Sequence, residues 1–413
     1  MTTKRIRGFL KSPESSFKAV KGSDIIKSDN ATLNLLKAFI LKYPHDYNRR
    51  FMQAIAYMLE TKKIKHGKIN LSVGYNQNRH SPLQLKEFNP SLHFELALKL
   101  RKVRRFSNFI FELLNTIHIA EILGVRKIFI PNEQPRIKNI FPLVKSFQCS
   151  HHPIEISTEV PNNCIAIEGD FYLSRKNLYS TSLTFPSRHS LAQSIIDFTG
   201  FAQAPSPSLL PQSADPSALT IHIRAGDIFK QKPHRAYGQP PLSFYLKVIK
   251  QFKPNHVILV YENQANPCIA KLIQYLTGEK IAFSISSSTN LRDDVKVLVH
   301  AQNIVIGTGT FAPGSLCFNQ NLRNLFVFKN YKSDLYPYDD CIPKNAEIHE
   351  VSDEKEDYIK SIMRSNWRNT TEQVSMMLNY LEDYLVLNEL PRAKDTSMDL
   401  AAMAGEEDED DSD

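Results

Sequence analysis

The chain has 413 residues, which is longer than one ordinary domain, and this length predicts about two to three domains. Hydrophobic residues make up 42% of the sequence and aromatic residues 10%, enough to build substantial cores. No run of roughly eighteen or more apolar residues occurs, and the basic N-terminal stretch lacks the apolar segment of a secretory signal. These features argue against a membrane-spanning or secreted protein and predict a cytoplasmic location.

The five cysteines favour the same compartment. They are scattered along the chain, odd in number and without C-x-x-C spacing: Cys149, Cys164, Cys268, Cys317 and Cys341. This distribution predicts reduced, structural thiols and argues against a disulfide framework or a zinc site.

The net charge of +8 is distributed unevenly. Residues 405–413 contain seven of the 43 acidic residues, which leaves 36 acidic against 51 basic residues elsewhere, a net charge of about +15. A basic body suits anionic partners such as nucleotide diphosphates, lipid-linked acceptors or an anionic membrane face at the periphery of a bilayer. A basic surface without a partner is the alternative. Zinc fingers and RNA-binding aromatic motifs do not occur, so nucleic acid is not a predicted partner.

Residues 1–97 are predicted to form a helical N-terminal extension. From Ala31 onward, apolar residues recur at helical spacing, first over Leu33–Ile40 and again over Phe51–Met58. This pattern indicates a packing appendage in preference to a separate activity.

Residues 98–202 are predicted to form a first α/β domain on the acceptor side. Ser107 is interpreted as the N-cap of a helix over Asn108–Leu123. Strands are predicted at Val125–Ile130 and Cys164–Ile167.

A second α/β domain is predicted over 218–350, after a linker at 203–217 that contains four prolines. Strands alternate with helices in this region, which is typical of a parallel sheet. The predicted strands are Leu219–Ile223, His256–Tyr261, Ile281–Ile285, Asn303–Ile306 and Leu325–Val327, and the predicted helices are Leu242–Phe252, Cys268–Leu276 and Asp293–Ala301. Residues 351–389 are predicted to be helical and 390–413 to form a disordered acidic tail.

The most informative stretch is Ala218–Phe229, where an apolar alternating run ends abruptly in polar residues. Side chains alternate between the faces of a strand, so His222 and Arg224 share one face, and Gly226 then permits a tight turn. An open α/β sheet binds its ligand outside the carboxyl ends of its strands, and the planar fork of an arginine can grip two phosphate oxygens. A nucleotide-sugar diphosphate is therefore a plausible ligand, and a buried strand with an ordinary polar turn is the alternative.

Residues 222–227 resemble the H-x-R-x-G-D signature of GDP-fucose-dependent fucosyltransferases, the α1,2/α1,6/protein-O-fucosyltransferase superfamily. The resemblance implies a GT-B-like α/β fold, with two Rossmann-like domains and a cleft between them. It implies an inverting transfer of fucose from GDP-fucose to a hydroxyl of a glycan; the basic charge also admits a lipid-linked glycan as the acceptor. It also implies that the reaction needs no cofactor and no metal.

The catalytic residues are expected within this signature. Arg224 is predicted to stabilise the charge that develops on the diphosphate as fucose leaves, with His222 beside it to position the phosphate or the sugar. Asp227 is either a turn-stabilising partner of Arg224 or the general base for the acceptor hydroxyl. The turn role is favoured because a carboxylate paired with an arginine has a low pKa and is a poor base.

A second block, Ser286–Leu316, resembles another part of the same family, in which an acidic residue is followed by a helix, a strand and a hydroxyl-rich turn. The resemblance implies that Asp293 or Asp294 reads the guanine base, although helix capping alone would also explain either residue. It further implies that a Gly- and Thr-rich turn holds the diphosphate through hydroxyls and backbone amides. The predicted donor-binding residues of that turn are Thr308, Gly309, Thr310 and Phe311.

Acceptor-side residues are predicted in the first domain. Asn108 alone matches the family's G-x-G-N-Q segment, and Glu168 and Asp170 form an acidic cluster at a strand end, for which an ordinary turn is the alternative. Ala225 stands where many family members carry a second arginine, which leaves the donor sugar open. Two other functions therefore accompany the fucosyltransferase prediction: a GT-B glycosyltransferase with a different nucleotide sugar, and a catalytically silent nucleotide- or glycan-binding adaptor.

Overall fold

Two α/β units make up the described part of the chain. The computed structural model describes residues 70–73, 95–100, 105–123, 125–130, 145–148, 153–158, 164–169, 187–201, 215–286, 291–329, 340–363 and 366–390. Of these, the first unit contains the residues up to Phe201 together with Pro313–Phe318. The second unit contains the remaining residues from Asp215 onward.

The first unit is built on a six-stranded, mainly parallel sheet. Its strands are β1 (Asn70–Val73), β2 (Glu95–Leu100), β3 (Lys127–Phe129), β4 (Lys145–Gln148), β5 (Pro153–Ser157) and β6 (Cys164–Gly169), and its helices are α1 (Phe106–Leu123), α2 (Arg188–Ser194) and α3 (Ile196–Thr199). The strand order is β1-β6-β2-β3-β5-β4. The inner four strands run parallel, and the edge strands β1 and β4 are antiparallel to their neighbours.

Three features of this unit differ from the sequence prediction. Residues 1–97 were expected to be helical, yet β1 and the start of β2 lie within them; the helical spacing from Ala31 lies outside the described residues. Helix α1 begins at Phe106, two residues early, because the N–H of Phe109 donates to the carbonyl of Arg105 at 2.9 Å. Ser107 is therefore inside the first turn and is not the N-cap, and its side chain is buried against Gly314.

The second unit contains a seven-stranded sheet. Its strands are β7 (Ala218–His222), β8 (His256–Val260), β9 (Ala282–Ser286), β10 (Asn303–Ile306), β11 (Asn324–Phe328), β12 (Glu347–Asp353) and β13 (Leu385–Leu390). The helices of this unit are α4 (Leu242–Phe252), α5 (Pro267–Gly278), α6 (Leu291–His300) and α8 (Thr371–Asn379), with 3₁₀ turns at Gly226–Phe229 and Glu382–Tyr384 and a π-helical turn at Ile359–Met363. Helix α7 (Phe311–Leu316) begins in this unit, and its residues from Pro313 onward belong to the first unit.

The order of these strands gives the second sheet a switch point. The sheet runs β13-β12-β11-β10-β7-β8-β9, and β7 to β12 are all parallel. Within this sheet, β7 is the first strand along the chain and lies at the centre. Strands β8 and β9 follow on one side of it, and β10, β11 and β12 then follow on the other. The strand order therefore reverses between β7 and β10, which is where open α/β sheets bind ligands.

All five residues of β7 are buried, as expected for a central strand of a parallel sheet that is covered on both faces. The largest fully buried side chains of this unit's core include Trp367, Tyr245, Tyr358 and Phe244. The two parallel sheets confirm the predicted α/β fold class. No helix among the described residues is long and apolar enough to cross a membrane.

The C-terminal region departs from its predicted helical structure over 351–389. Strand β12 continues to Asp353, and β13 pairs with it in antiparallel register, Val351 opposite Leu387. Leu385 is buried in the core of the unit and Leu387 packs against it, so tertiary packing favours a strand here. Helix α8 occupies only nine residues of the region.

Candidate functional site

The carboxyl ends of β7 and β10 meet at the switch point of the second sheet. Their register pairs Ile306 with His222, and the N–H of Gly307 donates to the carbonyl of His222 at 3.1 Å. The residues that follow both strands, 223–229 after β7 and 307–311 after β10, therefore start from adjacent positions. The sequence prediction that the two blocks share one site is consistent with this register.

Arg224 is the central side chain of this region, and only 17% of it is exposed. Its guanidinium carbon lies 4.2 Å from the centre of the Tyr237 ring, which is a cation–π distance. Its Nη2 lies 3.6 Å from Oδ1 of Asp227, which is one-third exposed. Gly309 also approaches Arg224 closely: a Cβ atom on residue 309 would lie 2.5 Å from Nη1. The guanidinium is thus fixed by a ring, a carboxylate and a bare backbone.

His222, the last residue of β7, is buried with 6% of its surface exposed. Burial, and secondarily the charge of Arg224, lower the pKa of His222 to about 3, so the imidazole is neutral at physiological pH. The ring of Phe311 lies 5.2 Å away, centre to centre. Nδ1 of His222 is buried and has no hydrogen-bond partner in the described structure, so a polar ligand atom would satisfy it.

The loop after β7 is held by residues from the far end of the sequence. Gly226 has φ +71°, a conformation that glycine adopts without strain, and opens the 3₁₀ turn. Trp367 donates from Nε1 to the carbonyl of Ile228 at 2.7 Å, and Asn369 donates to the carbonyl of Phe229 at 2.8 Å. These bonds fix the turn that carries Asp227.

Gln239 connects the two loops and was not among the predicted site residues. It is fully buried, and its Nε2 donates to the carbonyls of Tyr237 and Thr308, both at 3.0 Å. Its main-chain carbonyl accepts from the hydroxyl of Tyr358 at 2.6 Å. One amide therefore positions both the ring that stacks on Arg224 and the turn that lies against it. No local sequence pattern would have indicated this role.

The turn at Thr308, Gly309 and Thr310 is half-buried. None of its three N–H groups donates a hydrogen bond to another described residue. Unengaged amides beside an arginine suit an anion. The role of this turn in binding a diphosphate stays a prediction. Phe311 begins α7 and packs on His222, so its observed contact is with the site's own histidine.

The two aspartates of α6 lie in its first turn, as predicted. Asp294 is 6% exposed and accepts a hydrogen bond from Oγ of Ser286 at 2.8 Å, which ties the helix start to the end of β9. Asp293 is half-buried. Residues 287–290 lie outside the described structure, so base reading by either aspartate stays a prediction.

The acceptor-side candidates lie in the first unit. Asn108 is half-buried in the first turn of α1, and Glu168 is in β6, where its backbone pairs with Lys99. Asp170 lies outside the described residues. Their predicted role in acceptor binding is untested. Within the described ranges, no three His, Cys, Asp or Glu side chains gather into a possible metal site.

Neither a protein-family model nor a curated protein matches this sequence. Similar solved structures include POFUT1 in complex with GDP, at 9% identity and a TM-score of 0.33, covering 57% of this chain and 98% of that one. The E. coli ADP-heptose LPS heptosyltransferase II is similar at 14% identity and a TM-score of 0.32, covering 62% and 90%. A glycosyl transferase family 9 protein from Veillonella parvula is similar at 9% and 0.34, covering 69% and 96%. At these scores the likeness establishes neither activity nor substrate.

Proposed function

We propose that this chain is a glycosyltransferase that binds a nucleoside-diphosphate sugar at the switch point between β7 and β10, with GDP-fucose as the donor. The observation that carries the proposal is the fixed guanidinium of Arg224, at the carboxyl end of the central strand and within the H-x-R-x-G-D sequence. A guanidinium held by Tyr237 and Asp227 needs no rearrangement to meet a diphosphate. Such preorganisation is what makes electrostatic stabilisation effective.

In the proposed reaction, an acceptor hydroxyl oxygen attacks C1 of the donor sugar from the face opposite the diphosphate. The bond from C1 to the phosphate oxygen breaks, and its electron pair stays on that oxygen. Arg224 stabilises the negative charge that develops there. The unengaged N–H groups of Thr308–Thr310 present the positive ends of their dipoles and stabilise the same charge. The hydroxyl proton leaves to a general base.

His222 and Asp227 support this step from within the site. The low pKa of His222 makes it a poor proton acceptor, so its proposed role is a hydrogen bond from the neutral ring to a phosphate or sugar oxygen. Asp227 faces Arg224, and its proposed role is to orient the guanidinium. An asparagine at position 227 would still accept a hydrogen bond from Arg224, but it could not act as a general base.

The second candidate function is a glycosyltransferase with a different donor sugar. The alanine at position 225, where many family members have an arginine, favours this candidate. Ala225 is 2% exposed and belongs to the core cluster of the second unit. An arginine at this position could not join Arg224 without burying its charge in that core. The proposed site therefore lacks the second arginine of many family members, which keeps another nucleotide sugar as a candidate donor.

The test is a thermal-shift and calorimetric panel of GDP, UDP, ADP and CMP, followed by GDP-fucose and GDP-mannose. We expect GDP to bind, and Arg224→Ala to weaken its binding about tenfold to a hundredfold or more. Arg323→Ala is the matched control, because Arg323 is exposed and immediately precedes β11, at the amino ends of the parallel strands, whereas Arg224 follows the carboxyl end of β7. Preference for UDP or CMP would replace the fucose assignment, and binding of no nucleotide would favour the adaptor function.

A further inference from the structure

A short loop just beyond the H-x-R-x-G-D turn carries three cations. The basic loop, residues 230–235, contains Lys230, Lys232 and Arg235, and all three residues are exposed. None of these side chains forms a hydrogen bond or an ion pair with another residue in the described part of the chain. The basic loop therefore concentrates positive charge that no described carboxylate neutralises, which is the electrostatic character of an anion-binding surface.

The basic loop is anchored at both ends by residues from far along the chain. Asn369 donates from Nδ2 to the carbonyls of Phe229 at 2.8 Å and of Lys230 at 3.4 Å, at the start of the loop. The N–H of Trp367, which is fully buried, donates to the carbonyl of Arg235 at 3.2 Å, at its end. The backbone that carries the cations is thus fixed before any ligand binds, which lowers the entropic cost of binding.

Two ring contacts connect the end of the basic loop to Arg224. The imidazole of His234 lies 4.8 Å from the Tyr237 ring, centre to centre, and the N–H of Tyr237 donates to the carbonyl of His234 at 3.1 Å. Tyr237 in turn lies against the guanidinium of Arg224. The basic loop therefore lies one ring away from the side chain that is proposed to bind the diphosphate.

The anchors of the basic loop come from the side of the sheet opposite to the predicted base site. Trp367 and Asn369 follow β12, which lies on the β10 side of β7. Asp293 and Asp294, the predicted base readers, begin α6, whose first turn is tied to the end of β9 on the β8 side of β7. A nucleotide sugar with its diphosphate at Arg224 and its base beside α6 extends its sugar away from β9. The acceptor approaches that sugar, so the basic loop is on the acceptor's side.

We propose that the basic loop binds an anionic group of the acceptor, so that the acceptor is an acidic glycan with a carboxylate, a sulfate ester or a phosphate ester. This inference rests on the proposed function and names the acceptor class that the proposed function leaves open. The guanidinium of Arg235 can bind two oxygens of such a group, and the two lysines supply compact charges. The anionic group holds the acceptor beside the donor and takes no part in the transfer itself.

The experiment titrates nucleotide-saturated protein with tetrasaccharides of different charge, by calorimetry. Saturation with the nucleotide that binds best in the panel fills the site at Arg224, so a tetrasaccharide cannot bind there. The probes are neutral maltotetraose, its monophosphate and monosulfate esters, and tetragalacturonate, which carries carboxylates only. We expect at least one acidic probe to bind about tenfold or more tightly than maltotetraose, and the best probe identifies the anionic group.

The test variant combines Lys230→Gln, Lys232→Gln and Arg235→Gln. It should bind the best acidic probe about fivefold to fiftyfold more weakly than the wild type, because three surface charges are lost, and its affinity for maltotetraose should not change. Its affinity for nucleotide should stay within about threefold of the wild-type value, because Arg224 and Tyr237 are unaltered. If the test variant keeps the preference for the acidic probe, the acceptor subsite is wrong.

The matched control combines Lys253→Gln, Lys271→Gln and Lys280→Gln, which remove the same charge from exposed positions in or just after α4 and α5. This variant should keep the wild-type preference. An equal loss in the control would mean that net charge alone attracts the acidic probe, and the acceptor subsite would be wrong.

Two further outcomes separate this inference from the function on which it rests. If the wild type binds nucleotide but does not distinguish acidic from neutral tetrasaccharides, the acceptor subsite is wrong while the nucleotide site stands. If a single-stranded tetranucleotide binds the basic loop more tightly than every tetrasaccharide, the surface binds nucleic acid and the acceptor subsite is again wrong. If the wild type binds no nucleotide at all in the panel, the proposed function and the acceptor subsite are both wrong.

Discussion

The guanidinium of Arg224 lies in the space that a side chain on residue 309 would need. A Cβ atom there would be 2.5 Å from Nη1 and 3.0 Å from Cδ of Arg224, and the φ of Gly309 is +153°, a region that few side-chain-bearing residues adopt. A glycine at position 309 is therefore needed both for the backbone conformation of the turn and for the position of the Arg224 side chain. The close approach of a bare backbone keeps Arg224 against Tyr237.

Gly309→Ala is expected to displace Arg224 and to weaken nucleotide binding by at least tenfold. Gly278→Ala is the control, since a Cβ atom on residue 278 would contact nothing within 4 Å. This substitution replaces glycine with a better helix former at the end of α5. Calorimetric titration with GDP measures both variants. Unchanged affinity in Gly309→Ala would show that Arg224 does not depend on this contact.

The stacking of Tyr237 on Arg224 gives a second prediction. Tyr237→Leu should weaken nucleotide binding about threefold to thirtyfold, because the cation–π contact that fixes the guanidinium is lost. Tyr237→Phe retains the ring face and should bind almost as the wild type does. Equal losses in both variants would instead assign the effect to the phenol hydroxyl.

Gln239 should affect ligand binding beyond its effect on stability. Gln239→Ala removes the Nε2 donor and leaves the carbonyls of Tyr237 and Thr308 without that hydrogen bond. We expect the unfolding free energy to fall by about 1 to 3 kcal/mol and nucleotide binding to weaken. The control is Asn319→Ala. Asn319 is also fully buried and donates to two carbonyls, at 2.7 and 2.8 Å, near the end of α6.

Both amide variants are measured by urea unfolding and by GDP titration at a temperature where each is folded. The Asn319 variant should lose comparable stability while keeping its affinity for nucleotide. Parallel losses of affinity in the two would mean that Gln239 acts only through general stability.

The features that the sequence predicted are those that local patterns encode. The strand predicted over 219–223, the glycine turn at 226 and the acidic start of α6 each depend on near neighbours, and each is found in the structure, with the strand at Ala218–His222. The missed features depend on distant contacts. Trp367 bonds to a carbonyl 139 residues away, and β13 forms only because β12 offers it an edge.

His222 should make stability depend on pH. Its pKa of about 3 in the folded protein lies below its usual 6.5, so the unfolded chain binds an extra proton between these values. Its contribution is fully present above about pH 6.5 and is lost at about 1.4 kcal/mol per pH unit as the pH falls toward 3. From pH 7.5 to 5, the wild type should lose about 2 kcal/mol more unfolding free energy than His222→Asn.

Urea unfolding at the two pH values checks this difference, with His234→Asn as the control because His234 is exposed. In NMR, the imidazole signal of His222 should not titrate between pH 8 and pH 5. A midpoint near 6.5 would mean that the ring is hydrated, and the neutral hydrogen-bonding role proposed for it would then be wrong.

Trp367 is the one tryptophan of the chain, so its fluorescence reports on the site's supporting turn. Its indole is fully buried, lies 5.5 Å from the ring of Phe229 centre to centre, and donates to the carbonyl of Ile228. Trp367→Phe would leave that carbonyl unpaired and a smaller ring in the core. We expect a loss of about 2 kcal/mol in unfolding free energy and a weaker affinity for nucleotide, because the turn that carries Asp227 loosens. In the wild type, emission should be blue-shifted in the folded state and should change when nucleotide binds. Emission typical of a water-exposed indole would contradict the anchoring role of Trp367.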